Sequence, residues 1–274
     1  MAIDQSSAAG RLGIAANSSS IVIELYDLIY SALPHSDAYR AVVAETKTDL
    51  PDWVIPLSSV DRPLLERIGE AMHLRAGDTF ADLGCGLGGP ALWIAQRTGA
   101  SLIGIDSSPV AVSHANALST ELNLTQRTRL YARDATRTEL PDDSVGAVMS
   151  IDSLQFIEPE AVAKEIARIL RPGGRAAIVS WEALTELELP TVVRDYRPFF
   201  EAAGLTILTH DTMEGARARE LAQYRLLIKH AEALRAQMGE AAEPLLHEAE
   251  SGLAREHAPA RVQKVFIAAS KPAK

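Results

Sequence analysis

The stretch Phe80–Pro90, FADLGCGLGGP, decides how the chain is read. A short apolar run ends in Asp82 and enters a turn with glycine at 84, 86, 88 and 89. A turn with so few side chains lets backbone come close to a ligand. The spacing fits G-x-G-x-x-G and G-x-G-x-G equally. Taken alone, the turn leaves a nicotinamide dinucleotide and another nucleoside cofactor both open.

Outward from this turn the sequence alternates. A helix is expected over 89–98, then the strand SLIGID, then a helix from Pro109, where a missing N–H in the first turn costs little. The strands TRLYARDA and VGAVMSID follow. The helix EPEAVAKEIARILR ends at Pro-Gly-Gly before the strand RAAIVSW. Strands alternating with helices predict an α/β fold, a mostly parallel sheet with helices on both faces. Upstream, helices are expected over 21–45 and 60–73, separated by Pro51 and Pro56. Downstream come a helix around 195–203, the strand LTILTH, two helical stretches over 215–257 and a last strand, RVQKVFIAAS. This predicts an N-terminal helical arm and cap over 1–59, its first residues loosely held. A cofactor-binding domain over 60–274 follows, with a helical lid inserted at about 213–258.

Three carboxylates narrow the ligand. Asp82, two residues before the first glycine, would repel a pyrophosphate and favour a cationic ammonium or sulfonium. Asp106 ends the second strand, where an acidic side chain accepts from both ribose hydroxyls. Asp134, in Arg133–Ala135, can accept from an exocyclic amine such as that of adenine. Ribose, adenine and a cationic amino-acid tail together describe S-adenosylmethionine.

With DLGCGLGG, GIDSS, RDA and LRPGGR in this order, the chain resembles the class I S-adenosylmethionine-dependent methyltransferases of small molecules, over roughly 60–205. The resemblance implies a seven-stranded Rossmann-like sheet with an antiparallel last strand, the cofactor lying over the C-terminal ends of strands one to four. It implies cofactor contacts at Asp82, Gly84, Cys85, Gly86, Gly88, Asp106, Ser107, Asp134, Ala135 and Ile151. It also implies that a tyrosine of the N-terminal segment ELYDLIY, here Tyr26, closes over the methionine end. Tyr30, one turn later, is a candidate for substrate contact, with Trp53, Phe156 and Trp181 as candidates for an apolar substrate wall.

Many relatives carry a histidine just after strand four, able to act as a base. This chain reads DSLQFIEP, with Gln155 and Phe156 there. Glutamine cannot take a proton at neutral pH, so Gln155 is expected to position rather than to transfer protons. Three readings stay open. The nucleophile needs no strong base: an amine, a readily ionised phenol or thiol, or an electron-rich carbon. A base lies elsewhere, at Glu182 or His210. Or the scaffold holds the cofactor without transferring its methyl, as a cyclase would.

The formal charge of −9 disfavours nucleic-acid substrates, and a single cysteine, Cys85, excludes an internal disulfide and speaks against a zinc site. No apolar run reaches membrane-spanning length, and the N-terminus lacks the pattern of a secretory signal. The expectation is a cytoplasmic monomer or homodimer acting on a small molecule, with no metal.

Overall fold

The protein is described by a computed structural model covering residues 19–46, 49–186 and 191–273; the expected loose arm at the extreme N-terminus lies outside the described residues. The first two helices among the described residues are α1 (Ser19–Ala32) and α2 (Asp37–Glu45), broken at Pro34 and restarted by Ser36, whose side chain accepts from the Tyr39 amide. The next helix, α3 (Arg62–Met72), starts where Asp61 accepts from the Leu64 amide at 2.9 Å and buries Leu64, Leu65, Ile68 and Met72.

The alternation follows as expected: β1 (Thr79–Leu83), α4 (Gly89–Thr98), β2 (Ser101–Asp106), α5 (Pro109–Glu121), β3 (Thr128–Ala132), β4 (Val145–Ile151), α6 (Pro159–Ile169) and β5 (Leu170–Ala183). Then come α7 (Arg197–Ala202), β6 (Thr206–Thr212), α8 (Ala216–Lys229), α9 (Ala231–Met238), α10 (Glu243–Leu253) and β7 (Val262–Ser270). The seven strands form one sheet in the order β3-β2-β1-β4-β5-β7-β6, with β7 antiparallel to both neighbours. Strand order reverses beside β1, so its C-terminal end opens a crevice where a ligand can lie.

Besides the break at Pro34 in the helix expected over 21–45, three boundaries differ from expectation. The β5 strand starts at Leu170, because the turn at Arg171–Gly174 sits inside it as an irregularity, with Leu170 paired to Val145 and Gly173 at φ 78°. The β3 strand stops at Ala132, and Asp134 instead folds back to accept from the amide and hydroxyl of Thr136. The region after β6 holds three helices rather than two, with breaks at His230 and at Gly239, whose φ is 58°.

Both sheet faces are buried, as a parallel sheet requires. One packs Phe80, Met149, Val179 and Phe266 against Leu65, Ile68 and Leu92. The other packs Leu83, Val148, Ile178 and Ile267 against Ile166, Ile169 and Phe200. A separate apolar cluster joins α1 and α2 to α8–α10 through Ile29, Tyr39, Val42, Tyr224, Leu227 and Leu246. The N-terminal helices and the late helical excursion thus share one core of their own, stacked over the strand ends. Among the described residues no helix is long and apolar enough to cross a membrane.

Candidate active site

The crevice beyond β1 is a cavity of about 680 Å³. Its floor is the glycine turn. Gly84 and Gly86 have φ of 80° and 50°, a region side chains rarely adopt. A Cβ on Gly84 would sit 2.1 Å from the Ser153 hydroxyl, and one on Gly86 would sit 2.9 Å from the Tyr30 hydroxyl. Only glycine lets the turn pass this close to its neighbours.

Asp106 ties the turn to β2. One carboxylate oxygen accepts from the Gly86 amide at 2.7 Å and the other from the Ser108 amide at 2.9 Å. Each oxygen keeps a further lone pair for a ligand. Burial raises the Asp106 pKa, its backbone hydrogen bonds oppose the rise, and Asp27 adds to it. Asp82 is buried with no compensating hydrogen bond described, and burial, followed by the neighbouring Asp106 charge, lifts its pKa to about 8. A buried carboxylate in this state favours a cation beside it. The Cys85 thiol is pushed up by burial first and by the same acids next, so it is held as an unreactive thiol.

The cap supplies the roof. Tyr26 packs against Tyr30 at 5.7 Å between ring centroids and edge-on to Phe156 at 5.8 Å. The Ser108 hydroxyl donates to Asp27 of α1, which latches the cap to the start of α5.

The cavity wall brings together Tyr26, Tyr30, Asp82, Gly84, Cys85, Gly86, Asp106, Ser107, Asp134, Ala135, Ile151, Gln155, Phe156 and Trp181, as the sequence reading requires of one site. Four expected residues lie elsewhere. Gly88 caps α4 and allows close packing on α5, since a Cβ there would meet Ala115 at 2.9 Å. Trp53 packs, partly buried, against the core on the α3 side of the sheet. Glu182 points off the opposite face of β5 from Trp181, where it accepts from the Tyr196 amide at 2.9 Å and pairs with His210 at 2.9 Å. Neither Glu182 nor His210 lines the cavity, so neither is placed to act as a base there. Glu182→Gln and His210→Ala should accordingly leave affinity for S-adenosylhomocysteine within about twofold of the parent by calorimetry, the scale of changes at sites that share no partner with the ligand.

Gln155 lines the cavity, but both ends of its amide are engaged by protein. Its Nε2 donates to the Asp152 carbonyl at 2.7 Å and its Oε1 accepts from the Ser180 hydroxyl at 3.2 Å. It therefore fixes the loop after β4. Wall residues not anticipated from the sequence include Asp152, Ser153 and Lys264 at the sheet, and Tyr39, Tyr224 and Glu248 in the cap.

This strand order, with a glycine turn after β1 and acids ending β1 and β2, defines the fold of the class I S-adenosylmethionine-dependent methyltransferases. Residues 81–178 match the family profile described as "Methyltransferase domain". It is similar to the methyltransferase GfsG of Streptomyces halstedii, 33% identical over 47% of this chain and 46% of that protein. The chain thus spans about half the length of this curated relative. Among solved structures it resembles the [4+2]-cyclase SpnF, with a TM-score of 0.68 and 25% identity over 77% of this chain and 82% of that one. It also resembles a phosphoethanolamine N-methyltransferase 2 of Haemonchus contortus in complex with phosphomonomethylethanolamine and S-adenosylhomocysteine. That match has a TM-score of 0.68 and 21% identity over 79% and 54% of the two chains.

The residues present fit the cofactor of this class. Asp82 offers a buried carboxylate for its cationic amino-acid end, Asp106 offers free lone pairs for its ribose, and Gly84 and Gly86 line the cavity between them.

Proposed function

We propose that the protein transfers a methyl group from S-adenosylmethionine to a small molecule with a largely apolar body, held beneath the helical cap in a reducing, cytoplasmic setting. The observation that carries this reading is the continuity of one cavity. It joins the carboxylates and glycines at the ends of β1 and β2 to an aromatic wall of Phe156, Trp181, Tyr39 and Tyr224. The cofactor supplies an activated methyl on a sulfonium. The chain's own task is to align the acceptor and keep water out, which accounts for much of the barrier lowering in such displacements. The α1, α2 and α8–α10 cluster serves as the lid that excludes water, and the acceptor enters against its aromatic residues.

The test has two parts. Calorimetry should show S-adenosylhomocysteine binding and no binding of NADH; comparable affinity for NADH overturns the cofactor assignment. Incubation with methyl-labelled cofactor and a metabolite extract should place label in a small molecule. A second reading, a cyclase or other relative that binds the cofactor without using its methyl, draws on the likeness to SpnF. Product mass separates the two, since methyl transfer adds one methyl group and cyclisation adds nothing.

A further inference from the structure

Where β4 and β5 end and antiparallel β7 begins, the cavity wall carries a charged pair not assigned above to the cofactor. Lys264 of β7 lies opposite Trp181 of β5, its ammonium 5.4 Å from the indole centroid. Its Nζ donates to Asp152 Oδ2 at 2.6 Å, and its side chain is only 2% exposed. An ammonium has three N–H groups, and among the described residues this one hydrogen bond is found for it. The other Asp152 oxygen, Oδ1, is buried without a hydrogen-bond partner. Among the described residues two other buried side-chain oxygens share that condition, on Ser119 and Thr128, but neither residue lines the cavity or carries a charge.

Asp152 is also held in an unusual conformation. Its φ is 52°, a backbone region that costs energy for a non-glycine residue and is found where surroundings impose it. Here the surroundings are clear. Gln155 grips the Asp152 carbonyl, and the next residue, Ser153, donates from its hydroxyl to the Gly84 carbonyl at 3.2 Å. The loop is thereby pinned to the glycine turn, and its carboxylate is held on Lys264. Lys264 is pinned in turn by its carbonyl, which accepts from the Met213 amide at 2.8 Å at the entry to the lid.

We propose that Asp152 and Lys264 together seat the group that accepts the methyl, and that this group is a hydroxyl. The inference rests on the methyl-transfer reading above and names its acceptor class. A buried carboxylate oxygen lacking a donor and a buried ammonium with N–H groups to spare demand opposite things of one ligand. An anion would meet Asp152, and a cation would meet Lys264. A neutral hydroxyl meets both: it donates to Asp152 and accepts from Lys264. In the transfer the hydroxyl proton passes to the Asp152 carboxylate while the substrate oxygen forms a bond to the methyl carbon. The carbon–sulfur bond breaks with its electron pair returning to sulfur, giving a methyl ether and a neutral thioether. The proton leaves Asp152 for solvent as the ether departs. Lys264 holds the negative charge that builds on oxygen before the bond is complete.

The test uses the full chain with S-adenosylhomocysteine present and a library of small ring compounds in matched sets. Each set comprises an alcohol or phenol and its amine, deoxy and O-methyl counterparts, and binding is read by ligand-observed NMR. The hydroxyl members should bind about tenfold more tightly than their counterparts, the scale of one or two hydrogen bonds to charged groups. Asp152→Asn and Lys264→Met should each abolish most of that preference, with S-adenosylhomocysteine affinity kept within about twofold. Removing one partner leaves a lone buried charge and can unfold the chain. The double variant Asp152→Asn/Lys264→Met leaves none and should fold without any hydroxyl preference. Equal binding of hydroxyl and deoxy members, a preference for amines, or a hydroxyl preference surviving in the double variant overturns the proposal. Failure of S-adenosylhomocysteine to bind the parent protein would instead strike the methyl-transfer reading, and the hydroxyl preference is scored separately from it.

Discussion

Asp106→Ala should weaken cofactor binding by about 2–4 kcal/mol, roughly thirty- to a thousandfold, the scale of two hydrogen bonds to a charged group. The loss has two sources. The carboxylate offers acceptors to a pair of ribose hydroxyls, and it also holds the Gly86 and Ser108 amides that shape the turn beneath the ligand. Asp106→Asn should cost less, because its carbonyl oxygen keeps one acceptor, although its amide must face one of those two backbone donors. The two sources can be told apart. If the ribose contact dominates, adenine alone should bind parent and Ala variant equally while S-adenosylhomocysteine should not. If the turn has collapsed, both ligands weaken and the thermal midpoint falls. An Ala variant that folds and binds S-adenosylhomocysteine as tightly as the parent places the ribose elsewhere.

The parts of the site that the sequence made legible are the local ones. Asp82, Gly84, Gly86 and Asp106 sit at strand ends and in a turn, where residue type and position fix the geometry within a few residues. Most strands of the sheet were legible for the same reason, while the reversal of the last one was what the family resemblance implied. What the sequence hid is phase. In a strand, neighbours face opposite sides, so Trp181 lines the cavity while Glu182, one residue on, is turned toward Tyr196 and His210. Counting residues from the end of β5 could not separate them. The Asp152–Lys264 pair was hidden differently, because its members are 112 positions apart and the β4–β5 and β5–β7 pairings together bring them close. A signal was there in RVQKVFIAAS. Lys264 is in phase with Phe266 and Ala268, which are core residues, and a lysine on the buried face of a strand needs a partner. The role of Gln155 as a fastener of the Asp152 loop was legible only in outline, since a glutamine's partners are set by distant chain segments.

Cofactor binding should release close to one proton at pH 7, and that proton should come from Asp82. In the free protein the buried Asp82 carboxyl has a pKa of about 8, raised by burial and then by Asp106, so at pH 7 it is mostly protonated. A cation brought beside it favours the carboxylate, and the proton leaves. Affinity should then rise with pH by up to about tenfold per unit below pH 8 and level off above it, because there the carboxylate is already charged. Stability of the free protein runs the other way. The folded pKa lies above the unfolded value, so the folded state binds the extra proton between about pH 4 and pH 8, and stability falls as pH rises through that window. The full span is on the order of 5 kcal/mol. The cofactor should therefore raise the thermal midpoint more at pH 8 than at pH 6. Calorimetry with S-adenosylhomocysteine, which keeps the ammonium, in two buffers of different ionisation enthalpy at pH 7 counts the proton directly. The control is Asp82→Asn, which has no proton to release. It should bind with little pH dependence between pH 6 and 8, and its stability should lack the fall that Asp82 gives the parent over the same range. A parent protein that releases no proton, or an Asn variant that releases as many as the parent, means that Asp82 is already ionised before the cofactor arrives or lies away from the cationic end.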